Sequence, residues 1–288
     1  MHLQTRQLVE VLSLIVGMLF AGCSSVPRET LLTVTPGEAP RSVAAHITTY
    51  QDAIDTIVSV MSEDLQIPVP KTSFTLYFYA HPEAFAQGLT EKFNTNPAVA
   101  REIAKSALGR IRQTREGKQL LVNEEILEYL RWPDRIHVLA HELTHVLQYE
   151  LAGGRLAGDL WLIEGFADWV ASRVLEALGL DTFSRRKDQK IAQVRRENRP
   201  PSLPPLSQMA TVQDWDALSA RHGGAMAYGQ AFLATDFLIQ QHGLASVIEY
   251  FRRVSHAVDR LQHFQAIFGE ELSDFERAFS TCLEHLLG

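Results

Sequence analysis

His141 and His145 stand four residues apart in VLAHELTHVLQYEL, with Glu142 directly after the first histidine. On a helix that spacing puts both imidazoles on one face, a turn apart, within reach of a single metal ion. Zinc suits such a pair. It takes neutral imidazole nitrogen at about 2.0–2.1 Å, and its catalytic sites use three protein ligands with one position left open. Glu142 points to one side of that face, where its carboxylate can take a proton from water at the open position rather than bind the metal. Apolar Ile136, Val138, Leu139, Leu143, Val146 and Leu147 surround these groups. Two histidines and a glutamate in such a helix are costly to bury without a metal or hydrogen-bond partners.

A third ligand is available downstream. Trp161-Leu162-Ile163-Glu164-Gly165-Phe166-Ala167-Asp168-Trp169 places Glu164 on a following helix, with eighteen residues between it and His145. Taken alone, Glu164 could be a helix-capping or surface carboxylate, and Asp168 a solvated one. Together with the histidine pair, the spacing and the WLIEGFADW ending resemble the gluzincin metallopeptidases, in particular the aminopeptidase-N family and the related peptidase MA-like proteins. That resemblance implies a zinc ion held by His141, His145 and Glu164, with Asp168 hydrogen-bonded to His141, and hydrolysis of peptide bonds with Glu142 as the general base. It also implies an α+β, thermolysin-like core in which a small N-terminal sheet with helices precedes a mainly helical C-terminal half, with the zinc in the cleft between them. The helix opening at Ala227-Tyr228-Gly229-Gln230-Ala231 resembles the tyrosine-bearing helix of these proteins, which makes Tyr228 the candidate oxyanion donor. Tyr228 could instead be a core tyrosine packed on the zinc helices, and His222 is an alternative donor. His137, one turn before His141, reads as a satisfied neighbour, since a closed four-ligand site would suppress catalysis. The chain has no Gly-x-Met-Glu-Asn segment, with which aminopeptidases grip a substrate's free amine. The resemblance therefore extends to the metal chemistry and not to that specificity.

The elements that must position these residues are legible in the periodicity. Apolar residues recur at helical spacing from Ser42 to Leu65. Ser73 to Ala80 (SFTLYFYA) reads as a buried strand between Pro70 and Pro82. Arg110–Thr114 and Gln119–Asn123 flank Arg115-Glu116-Gly117-Lys118, a hairpin turn. The gluzincin resemblance implies that Lys118 to Asn123 (KQLLVN), upstream of the histidine helix, is an edge strand along which an extended peptide could lie. From Pro133 the chain reads as almost entirely helical, with stops at Gly153-Gly154 and across Pro200 to Pro205.

The N-terminus carries a separate signal. Leu8 to Phe20 is mostly apolar but short of the roughly 20 residues a membrane span needs, and Phe20-Ala21-Gly22-Cys23 resembles a bacterial lipobox. The expected organisation is a lipoprotein signal peptide at 1–22, lipidation at Cys23, a flexible tether over 23–41 and a metallopeptidase-like domain over 42–288. This implies a lipid-anchored protein of the bacterial envelope, on the periplasmic face of the outer membrane where two membranes exist. With Cys23 acylated, Cys282 has no partner, so no disulfide is expected. A net charge of −7 among 288 residues argues against nucleic acid as a partner. Expected partners are a peptide or protein substrate and the membrane. A zinc-binding envelope scaffold or chaperone without turnover is the alternative from another class, and a peptidoglycan-peptide hydrolase would share the chemistry.

Overall fold

The computed structural model describes residues 29–34, 47–114, 117–155, 157–197, 203–254 and 259–287. The expected signal segment, Cys23, and Arg115 and Glu116 of the expected turn lie outside them. Among the described residues the protein is α+β, mostly helical with one four-stranded sheet. It divides into two compact units, residues 1–37 with 72–135, and residues 38–71 with 136–288.

The first unit holds the sheet: β1 (Glu29–Val34), β2 (Phe74–Tyr79), β3 (Gly109–Thr114) and β4 (Gly117–Asn123), in the order β1-β2-β4-β3. β2 and β4 run parallel, and each outer strand is antiparallel to its neighbour. Between β2 and β3 lie α1 (Pro82–Phe93) and α2 (Pro97–Ala104), whose Phe85, Leu89, Phe93 and Ala100 pack with Tyr79 and Leu121.

Two expectations are corrected here. The tether expected over 23–41 contains a strand at Glu29–Val34. Its threonine and valine residues favour extended backbone, and the strand pairs with β2 from Glu29↔Tyr79 to Val34↔Phe74. Lys118–Asn123 is not an edge strand. Its residues are buried and hydrogen-bonded on both sides, to β2 and to β3. A continuous apolar run such as Leu120-Leu121-Val122 suits an interior strand covered on both faces, and the sheet's edges are β1 and β3 instead.

The second unit contains a short early helix, α3 (Tyr50–Ser59), which continues as a π-helical turn over Val60–Asp64. A reciprocal capping box between Thr49 and Asp52 starts it, and Ile54, Ile57, Val60 and Met61 bury its inner face. Residues 124–128 form α4 in the first unit. The next helix, α5 (Trp132–Leu151), begins in the first unit and belongs to the second from Ile136 onward. Pro133 and Asp134 suit its first turn. Gly153 and Gly154, at φ 71° and 91°, end it in the left-handed conformation that only glycine adopts without strain. Then follow α6 (Leu160–Ala177), α7 (Phe183–Glu197), a 3₁₀ turn at Leu206–Met209, α8 (Val212–His222), α9 (Gly224–His242), α10 (Leu244–Arg253), α11 (Arg260–Phe268) and α12 (Leu272–Leu287).

α6 is buried almost all round, through Trp161, Leu162, Phe166, Val170 and Val174, as a helix central to its unit must be. Two glycines set how closely its neighbours approach. A Cβ on Gly165 would lie 2.3 Å from both the Ala231 carbonyl oxygen and Thr235 Oγ1, so α6 and α9 touch backbone to backbone there. A Cβ on Gly229 would lie 2.9 Å from Val194 Cγ2 and 3.3 Å from the Lys190 carbonyl oxygen, so α7 also packs closely on α9, though less tightly than α6 does.

In an open helix interior, Gly→Ala stabilises by about 1 kcal/mol. Gly165→Ala is expected to do the opposite, because the added methyl has no space. Overpacking of this kind costs about 1–3 kcal/mol. Denaturant unfolding checks the sign, and a variant as stable as wild type would contradict the close crossing.

Candidate metal centre

α5 and α6 supply the cluster. His141 and His145 lie on successive turns of α5, and Glu164 on the second turn of α6, all within the second unit. Their three nearest atoms form a small triangle: His141 Nε2 to His145 Nε2 is 3.0 Å, His141 Nε2 to Glu164 Oε2 is 3.3 Å and His145 Nε2 to Glu164 Oε2 is 3.6 Å. A tetrahedral ion with ligands at about 2.0–2.1 Å needs ligand atoms about 3.3–3.4 Å apart. The three edges bracket that value.

The partners on the far side of each ring determine what the triangle contains. His141 Nδ1 is 3.0 Å from Asp168 Oδ1 on α6, one helical turn beyond Glu164. A carboxylate only accepts, so Nδ1 carries the proton. His145 Nδ1 is 2.7 Å from Gln148 Oε1, and Gln148 Nε2 donates to the Ile163 carbonyl at 2.9 Å. That donation turns the amide oxygen toward His145, so this Nδ1 is a donor as well. Both Nε2 atoms are then left as lone pairs facing Glu164 Oε2. Three buried acceptors converge and require a positive charge among them, which a divalent metal ion could supply.

Without a metal, a proton fills that need. Burial alone would lower the pKa of His141, but its hydrogen bonds with Asp168 and Glu164 outweigh burial and raise it to about 10. Burial opposes ionisation of Glu164 too, yet His145 and then His141 hold its carboxyl far below the ordinary range. Asp168 behaves likewise. Its burial is overcome first by Lys190 and then by His141, and its carboxyl stays well below its usual value. His137 differs. Burial drives it down to about 3, so the ring is neutral, with a buried Nε2 that lacks a hydrogen-bond partner and sits 4.0 Å from Asp168 Oδ1.

Glu142 is buried beside His141 and makes no hydrogen bond or ion pair among the described residues. Its carboxylate is uncommitted. The Tyr228 ring centroid lies 6.3 Å from that of His141 and 5.1 Å, edge-on, from that of Trp215 on α8. The structure thus brings Tyr228 to the cluster. His222 ends α8 and makes no hydrogen bond, ion pair or ring contact with any of these groups. Sequence reasoning missed Gln148, Lys190 and Trp215. Gln148 was detectable, lying three residues after His145 and hence on the same helical face. Nothing local marked the other two.

No protein-family profile matches the chain, and neither does any solved structure. It is similar to a Bacillus subtilis (strain 168) protein described as "Uncharacterized protein YhcO", 25% identical over 169 residues, which are 59% of this chain and 46% of that protein. The chain thus spans about half the length of that relative.

The metal-free protein is expected to weaken in alkali. A histidine whose pKa rises from 6.5 to about 10 on folding adds stability that is fully present below about pH 6.5 and is lost as pH climbs through about 10. His137 acts in a different window: with its pKa depressed to about 3, its contribution is present above about 6.5 and lost as pH falls toward 3. Thermal melts of chelator-treated protein between pH 6.5 and 10, beside His141→Gln, check this. The alkaline decline should be strong in wild type and largely absent from the variant.

Proposed function

We propose that this chain is a zinc-dependent peptidase with a gluzincin-type core, in which His141, His145 and Glu164 hold the metal. The observation that carries the reading is the triangle of lone pairs at ligand spacing, with an uncommitted carboxylate, Glu142, in the next position on the same helix. A purely structural zinc site closes with four ligands and has no use for such a base. Zinc, when bound, supplies Lewis-acid chemistry, polarising a carbonyl and making water a stronger acid.

The chain's own residues do the rest. Glu142 takes the proton of the attacking water and passes it to the amine that leaves as the peptide C–N bond breaks. Asp168 and Gln148 hold the two histidine rings as Nδ1–H tautomers, so that both Nε2 lone pairs stay directed inward. Tyr228, held edge-on by Trp215, donates its phenol hydrogen to the oxyanion that develops at the carbonyl. The substrate is a peptide or protein segment. Lipid attachment at Cys23 would tether the enzyme to the bacterial envelope. Among the described residues no helix is long and apolar enough to cross a membrane.

Glu142→Gln separates chemistry from metal binding. The variant is expected to fold and retain about one zinc per chain, while hydrolysis across a broad peptide library falls at least about 10²–10⁴-fold. Tyr228→Phe should reduce kcat more than it raises KM. Loss of zinc in Glu142→Gln would refute the division between ligand and base. A zinc-loaded wild type that cleaves nothing in such libraries would leave a binding scaffold as the better description.

A further inference from the structure

α7 (Phe183–Glu197) is rich in charge, yet both of its lysines turn inward. Lysine normally keeps its ammonium in water, and burying it is costly unless a well-placed anion compensates. Lys187 Nζ lies 2.7 Å from Asp236 Oδ2 on α9, and Lys190 Nζ bonds Asp168 Oδ2 on α6, with the Lys190 side chain only 15% exposed. The Lys187 pair has a structural setting. Asp236 also accepts from Trp169 Nε1 at 3.1 Å and Gln240 Nε2 at 2.7 Å, and its network stays away from the histidines. The Lys190 pair is different, because Asp168 is the carboxylate that orients His141.

The two oxygens of Asp168 are divided. Oδ1 faces His141 Nδ1 at 3.0 Å and Oδ2 is held by Lys190. A competitor stands close by, since His137 Nε2 is 4.0 Å from Oδ1, buried and without a hydrogen bond. A carboxylate free to rotate about Cβ–Cγ would satisfy that orphan nitrogen and abandon His141. Lys190 prevents the rotation by fixing the other oxygen. The backbone delivers the lysine: at Gly229 the absence of a side chain lets α7 approach α9, with the Lys190 carbonyl itself at the contact.

We propose that Lys190 is a positioning residue of the metal centre, acting through Asp168 to hold His141 in the ring orientation and tautomer that bind the ion. The inference rests on the metal reading given above. Lys190 touches neither the ligand atoms nor any substrate, so its effect must appear in metal affinity and coordination geometry as well as in turnover. Lys187 provides the internal control. It sits on the same helix, three residues away, in the same kind of semi-buried ion pair, but its partner has no contact with a ligand.

The experiment is chelator competition for zinc, with the visible spectrum of the cobalt-substituted protein recorded in parallel. Lys190→Met should weaken zinc binding about 10–100-fold, the usual effect of losing an outer carboxylate partner, and alter the cobalt bands. Lys190→Arg should recover most of the loss. Lys187→Met should lower the melting temperature while leaving zinc affinity and the cobalt spectrum as in wild type. In an Asp168→Asn background, Lys190→Met should add no further loss of affinity, because the lysine works only through that carboxylate. This background also removes the buried unpaired anion, so the comparison stands even where Lys190→Met alone does not fold. Wild-type affinity in Lys190→Met, equal losses in Lys187→Met, or full additivity with Asp168→Asn would each overturn the proposal. A wild type that takes up no metal would sink the metal reading and this inference with it, whereas tight wild-type binding with an indifferent Lys190→Met sinks only the inference.

Discussion

Three acceptor atoms held 3.0–3.6 Å apart and mostly out of water cannot remain without a positive charge among them. Much of the second unit is arranged around that requirement. Asp168 and Gln148 commit the outer nitrogen of each imidazole to donation and thereby direct the inner lone pairs at Glu164. A proton on His141 meets the demand in the metal-free molecule, and a divalent ion would meet it with better geometry and more charge. Metal uptake at such a site would release that proton.

The scaffold answers with rigidity. Glu164 and Asp168 sit on a helix buried nearly all round, and the residue between them and the neighbouring helix is Gly165, which allows α6 and α9 to meet at backbone contact. Gln148 adds a cross-link, since its amide bonds the carbonyl of Ile163 directly before Glu164. The α5 histidines and the α6 carboxylates are thus registered to each other by a buried hydrogen bond as well as by packing. Sites built on helices locked in this way hold their geometry better than sites on loops.

The positions of the histidine–carboxylate cluster were legible because helical periodicity is rigid enough to carry a prediction across one turn. His141 to His145 and Glu164 to Asp168 are both four-residue steps, and each appears as expected on one helical face. The helices from Pro133 onward were legible for the same reason, through Pro133 at the start of α5 and Gly153-Gly154 at its end. What remained hidden depends on contacts distant in the chain. Lys190 reaches Asp168 from a helix so rich in charge that nothing in its own sequence marks an inward side chain. Trp215 meets Tyr228 from a separate helix. The status of Lys118–Asn123 as an interior strand depends on which strands flank it, and an apolar run alone does not reveal its neighbours. β1 lay within a stretch of prolines and polar residues that pointed to a tether, and only pairing with β2 makes it a strand.

The inward lysines of α7 have a consequence for the solvent conditions the protein tolerates. Surface ion pairs such as Arg253 with Glu249 and Arg277 with Asp274 are open to mobile ions and weaken as the Debye length shrinks from about 8–10 Å at physiological ionic strength to about 3 Å in molar brine. Lys187 and Lys190 are sheltered with their aspartates, and mobile ions reach such pairs poorly. A helix that looks from its composition as though salt should loosen it is therefore anchored in part by sheltered pairs that salt affects little.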